Sequence, residues 1–314
     1  MTTADDAARN SGVGATSDDA ARNSGVGAAS DDAARPSRTF LSRQERFRSV
    51  PSTNDIIRSW MADGTGEVCL AVADEQTAGR GRSGRSWVAP AGAALLLSLG
   101  FEPTYVTPER LWRVAAIVAL AMADAGEEVA GLPMGMLKLK WPNDIVVAAP
   151  DAPSGVHKVA GVLGETDGAG TPAVRAVVGI GINADWPREQ FPPELAEAMT
   201  SLREASRGRP IDTGELLDAF LLRLEPRLLG LREGRFDVAG WHDRQITTGR
   251  TVRIDMPDGT APVFKAVGVD GASGALLVED AAGGERGLLV GEVTQVRLVT
   301  GGGDAETGPR GVTL

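Results

Sequence analysis

Residues 78–87 read AGRGRSGRSW, so Gly79, Gly81 and Gly84 complete a G-x-G-x-x-G pattern with Arg80, Arg82 and Arg85 set among the glycines. The residues just beyond this stretch limit the fold. A dinucleotide-binding turn needs a strand before it and a helix directly after it, because the pyrophosphate sits on that helix's N-terminus. EVCLAVA supplies the strand, and an acid, Glu102, stands 18 residues past Gly84. The helix is missing. RSWVAPAGAALLLSL comes next, in which Pro90 and Gly92 break a helix and the apolar run beyond reads as a strand. Bulky arginines also fill positions where a tight turn needs backbone access. The pattern therefore predicts a loop between two strands, not a doubly wound dinucleotide fold.

Such a loop can still hold an anion. Glycines let it fold over a ligand without steric cost. Arginines supply fixed, always-charged forks for phosphate oxygens, and Trp87 offers a flat face to a base. The bland alternative is a solvated basic loop. The net charge of −10 makes this local cluster stand out. It also argues against a general nucleic-acid binder, whose affinity comes from neutralising phosphates. Cys69 is the only cysteine, so no disulfide framework can form and a thiolate metal site is not expected. Lying in EVCLAVA, it reads as a small buried hydrophobe. His157 and His242 have no partner at a triad or metal spacing and receive no role.

The 314 residues allow one large or two ordinary domains. No apolar run reaches the roughly 18 residues of a membrane span, and the first 39 residues lack a secretory pattern. A cytoplasmic protein is expected. Residues 1–39 carry a 13-residue period beginning ADDAARNSGVGAT and lack large apolar side chains, which predicts disorder. Ordered chain is expected from 40. In SVPSTNDIIRSWMADG, Ser52 or Thr53 caps a helix with Ile56, Ile57, Trp60 and Met61 on its apolar face. TPERLWRVAAIVALAMADAG predicts a second helix, with Thr107 as cap, Pro108 at its first position and Gly126 after its end. MLKLKW, IVVA, KVAGVLGET and AVRAVVGIGIN read as strands. TGELLDAFLLRLEPRLLGLREG predicts a helix kinked at Pro226. From 245 to 300 short strands alternate with glycine turns, the pattern of a small β-barrel. Residues 301–314 read as a frayed tail.

GRGRSGRSW, with PSTN at 51–54, KWPND at 140–144, KVAGVL at 158–163 and GIGIN at 179–183, is similar in order and spacing to the biotin–protein ligases. The likeness runs from about 40 to 300. It implies an α+β fold: a mixed sheet flanked by helices over 40–244, of the class II aminoacyl-tRNA synthetase-like kind, and a C-terminal SH3-like barrel over 245–300. It implies joining of biotin to a lysine of a biotin carboxyl carrier domain, with ATP consumed by way of biotinyl-5′-AMP, and Mg2+ on the triphosphate with no dedicated protein cage. Bringing a carboxylate to a triphosphate demands positive charge between them, and Arg80, Arg82, Arg85 and Lys158 are the candidates.

The resemblance places Ser52, Thr53, Asn54 and Gln76 at the biotin ring, and Arg80, Gly81, Arg82 and Lys158 about the biotin and phosphate groups. Lys140, Asn143 and Asp144 line the site. Arg82, Arg85, Trp87, Lys140, Asn143 and Asn183 are nucleotide candidates, and Asp144 is a candidate to orient or deprotonate the acceptor lysine. The plain readings are a helix cap for Ser52, a β-turn for KWPND and a strand end for GIGIN. Partners expected are biotin, ATP and the carrier domain, with no DNA, no membrane and a homodimer as an option. The rival functions are a lipoate or octanoate ligase and a non-catalytic biotin or nucleotide sensor. The insert AAPDAPSGVH at 148–157 leaves the placing of Lys158 against Lys140 open.

Overall fold

The computed structural model describes residues 40–299, and the expectations for 1–39 and for 301–314 lie outside them. The first sheet has seven strands in the order β1-β2-β3-β7-β6-β5-β4. They are β1 (Arg43–Phe47), β2 (Cys69–Ala73), β3 (Ala94–Phe101), β4 (Lys138–Lys140), β5 (Asp144–Ala148), β6 (Val156–Asp167) and β7 (Arg175–Asn183). β1 and β2 pair in parallel and the other neighbours are antiparallel, so the sheet is mixed. Helix α1 (Thr53–Ala62) lies on one face, where Ile57, Trp60 and Met61 bury against Cys69, Ala71 and Val177. Helices α2 (Trp112–Ala130) and α5 (Thr213–Arg232) cover the other face, over Leu95, Leu97, Leu99, Val178 and Ile180. Between β7 and α5 come the short turns α3 (Pro193–Ala196) and α4 (Leu202–Ala205), and α6 (Val238–Asp243) follows α5.

Strand alternation explains the two faces. In β3 the odd residues Leu95, Leu97 and Leu99 enter the main core, while Ser98 and Gly100 face α1. No helix among the described residues is long and apolar enough to cross a membrane.

Three local expectations change. Pro108–Arg110 forms a separate 3-10 turn, and α2 begins at Trp112. α2 also runs through Gly126 to Gly131, whose φ of 65° supplies the left-handed stop. Gly126 is there for packing: a Cβ would come within 2.9 Å of Leu137 Cδ1. Finally, α5 continues past Pro226 as one helix. Pro226 and Leu222 sit on its exposed side, so the Leu222 carbonyl that loses its amide partner can face water.

The second sheet is antiparallel and contains β8 (Thr251–Asp255), β9 (Val263–Val269), β10 (Leu276–Glu279), β11 (Glu285–Leu288) and β12 (Gln295–Val299), in the order β11-β10-β9-β8-β12. Its turn at 270–275 docks on the first: Trp112 Nε1 donates to the Ala272 carbonyl at 3.3 Å, and Trp141 Nε1 to the Gly274 carbonyl at 3.0 Å.

Candidate active site

The glycine–arginine stretch is a tight hairpin. Arg80 and Ser86 form a β-bridge, the Gly81 amide donates to the Arg85 carbonyl at 2.7 Å, and the Trp87 amide donates to the Gly79 carbonyl at 2.9 Å. Ser83 and Gly84 turn it with φ of 55° and 74°. Each arginine goes a different way. Arg80 forms a bidentate pair with Asp55 on α1, at 2.7 and 2.8 Å. Arg82 Nη2 donates to the Val290 and Val293 carbonyls, both at 2.8 Å, and Arg85 reaches the Thr294 carbonyl at 3.4 Å. The hairpin thus spans from α1 to the 3-10 turn before β12. A cavity of about 740 Å³ lies between it and that turn, walled by Leu163 and Glu165.

Strand register builds the floor. Gly161 on β6 pairs with Gly181 on β7, and Leu163 pairs with Gly179. The three glycines leave a bare patch beside α1. Trp87 lies on it so closely that a Cβ on Gly181 would stand 2.6 Å from the indole Cε2 and Nε1. The buried Trp87 Nε1 has no hydrogen-bond partner. Asn54 occupies the place above Gly179, where a Cβ would meet its Oδ1.

A β-bulge delivers Lys158 to this face. Ile145 pairs with Ala160, but Val146 pairs with Lys158, so Val159 is the extra residue. The Lys158 ammonium then stands 5.3 Å from the Trp87 ring centroid and 2.7 Å from Asp144 Oδ1. Lys140 meets Asp144 Oδ2 at 3.3 Å from across the β4–β5 hairpin. The insert at 148–157 carries the β5–β6 turn and does not part the two lysines. Burial would raise the Asp144 carboxyl, but Lys158 and Lys140 outweigh it and hold it down to about 2. Burial pushes the Lys140 ammonium down, against the pull of Asp144. It pushes the Arg82 guanidinium down too, aided by Arg85. Two lysines therefore share one carboxylate, Asp144, while Arg82 and Arg85 are seated on backbone carbonyls, so positive charge exceeds what Asp144 alone balances.

The expected ring-binding residues meet at the other end of the floor. Gln76 Oε1 accepts from the Thr53 amide at 2.7 Å and from its hydroxyl at 3.0 Å. Thr53 Oγ1 lies 2.7 Å from Ser98 Oγ, Ser98 donates to Asn54 Oδ1 at 2.5 Å, and Asn54 Nδ2 donates to Glu165 at 2.6 Å. Ser52 is buried as the α1 cap residue, although its side chain makes no capping bond. Ser98 and Glu165 belong to none of the sequence motifs. The alternation of β3 and β6 aims them at the site, but only the fold puts them beside Asn54.

Two expected residues do other work. Asn143 ties strands together, its Nδ2 donating to the Val162 carbonyl at 2.8 Å while its carbonyl accepts from the Val162 amide. It sits with Lys140, Asp144 and Arg82 on a second cavity of about 260 Å³ that shares Arg82, Glu165 and Val290 with the first. Asn183 is fully buried, with Nδ2 on the Thr200 carbonyl at 2.9 Å and Oδ1 unpartnered. It lines neither cavity. Gly81 lines the larger one. Among the described residues, no group of three or more His, Cys, Asp or Glu could hold a metal ion.

Residues 47–183 match the Biotin/lipoate A/B protein ligase family. The chain is 32% identical over 203 residues to the biotin–acetyl-CoA-carboxylase ligase of Mycobacterium tuberculosis, covering 64% of this chain and 70% of that one. It is 33% identical over 237 residues to the enzyme of the same name from Paracoccus denitrificans, covering 71% and 89%. Among solved structures, the biotin protein ligase of Aquifex aeolicus in complex with biotin and ATP superposes with a TM-score of 0.66 and 27% identity, over 82% of this chain and 99% of that one.

Proposed function

The chain belongs to the biotin–protein ligase family, and from that premise we propose that it activates biotin as biotinyl-5′-AMP and passes the biotinyl group to a lysine of a biotin carboxyl carrier domain. The biotin carboxylate attacks the α-phosphate of ATP, the bond to the bridging oxygen breaks, and pyrophosphate leaves. The acceptor amine then attacks the acyl carbon of the mixed anhydride and AMP leaves.

One observation carries the reading: Lys140 and Lys158 paired on the single carboxylate of Asp144, with Arg82 and Arg85 held nearby on backbone carbonyls. A carboxylate and a triphosphate repel each other, and fixed positive charge in a half-buried site offsets that repulsion in the transition state. Lys158 and Arg82 take the anions that meet, with Arg85 and Lys140 behind them and Arg80 entering from the Asp55 side. Trp87, pressed on the glycine floor, presents its free face to the nucleotide. Thr53, Asn54 and Gln76 take the ureido ring, with Ser52 at its rim. Asp144, between the two lysines, orients the acceptor amine for attack. Mg2+ bound with the triphosphate would be held mainly by phosphate and water and would neutralise charge on the phosphates. We read 40–244 as the catalytic part and the second sheet as the SH3-like barrel, and place the protein in the cytoplasm.

Pyrophosphate release with ATP plus biotin, set against ATP plus lipoate or octanoate and followed by transfer to a carrier domain, tests this. Release with biotin alone is expected. Release with lipoate alone would reverse the substrate, and no release with any acid would favour a sensor.

A further inference from the structure

The polar chain beneath α1 has a direction. A carboxylate only accepts hydrogen bonds, so Glu165 requires the amide nitrogen of Asn54 to face it. Asn54 Oδ1 then points to Ser98, which spends its one hydroxyl proton there at 2.5 Å. Ser98 can therefore only accept from Thr53, whose single hydroxyl proton lies between Ser98 Oγ at 2.7 Å and Gln76 Oε1 at 3.0 Å. Protons run Ser98 to Asn54 to Glu165, with Thr53 ahead of them only when its proton turns from Gln76, and the anion at the end polarises both bonds. Glu165 is itself held by Arg58 and stands 3.9 Å from Arg80.

We propose that Glu165 is a positioning residue for the ligand ring: it fixes the proton direction of this chain and so decides which hydrogen-bonding groups the site shows. In that direction Asn54 keeps its second N–H free to donate, and Thr53 keeps a hydroxyl lone pair free to accept. A cyclic urea has the complementary set, one carbonyl acceptor between two N–H donors. The proposal rests on the assignment of Thr53 and Asn54 to the ureido ring. The substitution Glu165→Gln invites reversal. The amide oxygen it introduces would turn to the Arg58 and Arg80 guanidiniums and set the new N–H against Asn54, which would flip and send the Ser98 proton the other way.

The test uses the full chain, measuring biotin affinity, KM for ATP and melting temperature in Glu165→Gln, Glu165→Ala and Arg58→Ala. It adds 2-iminobiotin, in which an N–H donor replaces the ring carbonyl. Both Glu165 variants are expected to bind biotin about tenfold more weakly, with KM for ATP within about twofold and an unchanged melting temperature. The preference of the wild type for biotin over 2-iminobiotin should narrow in them, while Arg58→Ala keeps it. Unchanged biotin affinity in both Glu165 variants overturns the proposal. So does an equal loss in Arg58→Ala, which would assign the effect to the ion pair, or a parallel loss of ATP, which would mean general distortion. A wild-type chain that binds no biotin would instead overturn the ligase reading itself.

Discussion

Arg82 keeps its charge in a half-buried place with two neutral carbonyls as partners. A guanidinium has five N–H donors in a rigid fork, and the two bonds to Val290 and Val293 use only Nη2. A Lys, with a single ammonium, could not hold both carbonyls and keep further donors on the same rigid plane. Arg82→Ala and Lys158→Ala are each expected to slow pyrophosphate release by at least about 100-fold, with little change in melting temperature. Near-native turnover in either would remove the electrostatic argument. Asp144 makes a pH prediction. Its folded carboxyl is depressed to about 2 from an ordinary 3.8, so its stabilisation is complete above the unfolded value and fades as pH falls from about 4 towards 2. At pH 7 it amounts to about 2 kcal/mol. Urea titrations of the wild type and Asp144→Asn should differ by about that much at pH 7 and converge by about pH 2. A gap that stays constant down to pH 2 would show that Asp144 does not titrate between the lysines. Motif residues make most of this cluster legible in sequence, because charged side chains at fixed spacing carry the chemistry. Ser98 and Glu165 are illegible there because each is an ordinary residue in its own strand and acquires meaning only from Asn54, in Glu165's case 111 positions away.

Among the elements, the hairpin and its glycine floor form one unit. The motif glycines read in sequence as loop flexibility, but Gly161, Gly179 and Gly181 lie in strands and serve close approach instead. Gly181→Ala would place a methyl 2.6 Å from Trp87 and lift the indole off the floor. We expect KM for ATP to rise about tenfold with the global melting temperature nearly unchanged. Gly164→Ala is the control, since its Cβ would meet Ala115 at an ordinary 3.6 Å. Equal effects in both variants would argue against a role for the Trp87 seat. Strands with apolar alternation are legible from periodicity. β1 is not: its sequence RQERF is almost wholly exposed, and it forms by pairing in parallel with β2, a charged edge strand of the kind that resists further pairing. The end of α2 escapes local reading for a similar reason. ADAGEEVAG offers two glycines, and packing of Leu137 against Gly126 decides between them.

At the scale of the molecule, the second sheet completes a site whose charged side chains all come from the chain before it. The carbonyls that seat Arg82 belong to the turn before β12, and Glu292 shapes that turn: its carboxylate accepts from the Leu289 amide at 2.6 Å. Arg82 and Val290 are 208 positions apart, so no local pattern could reveal the contact. Glu292 is exposed and touches neither the ring-binding chain nor the lysine pair. Removing its side chain should loosen the turn, free the Arg82 fork to rotate and leave the Thr53–Asn54 end of the groove alone. Glu292→Ala is therefore expected to bind biotin with wild-type affinity while adenylate formation falls about tenfold, about 1.4 kcal/mol of transition-state positioning. Added salt should not mimic the effect, because the seat is made of carbonyl hydrogen bonds and not of an ion pair. Unaltered single-turnover adenylation in this variant would mean that Arg82 acts without help from the second sheet.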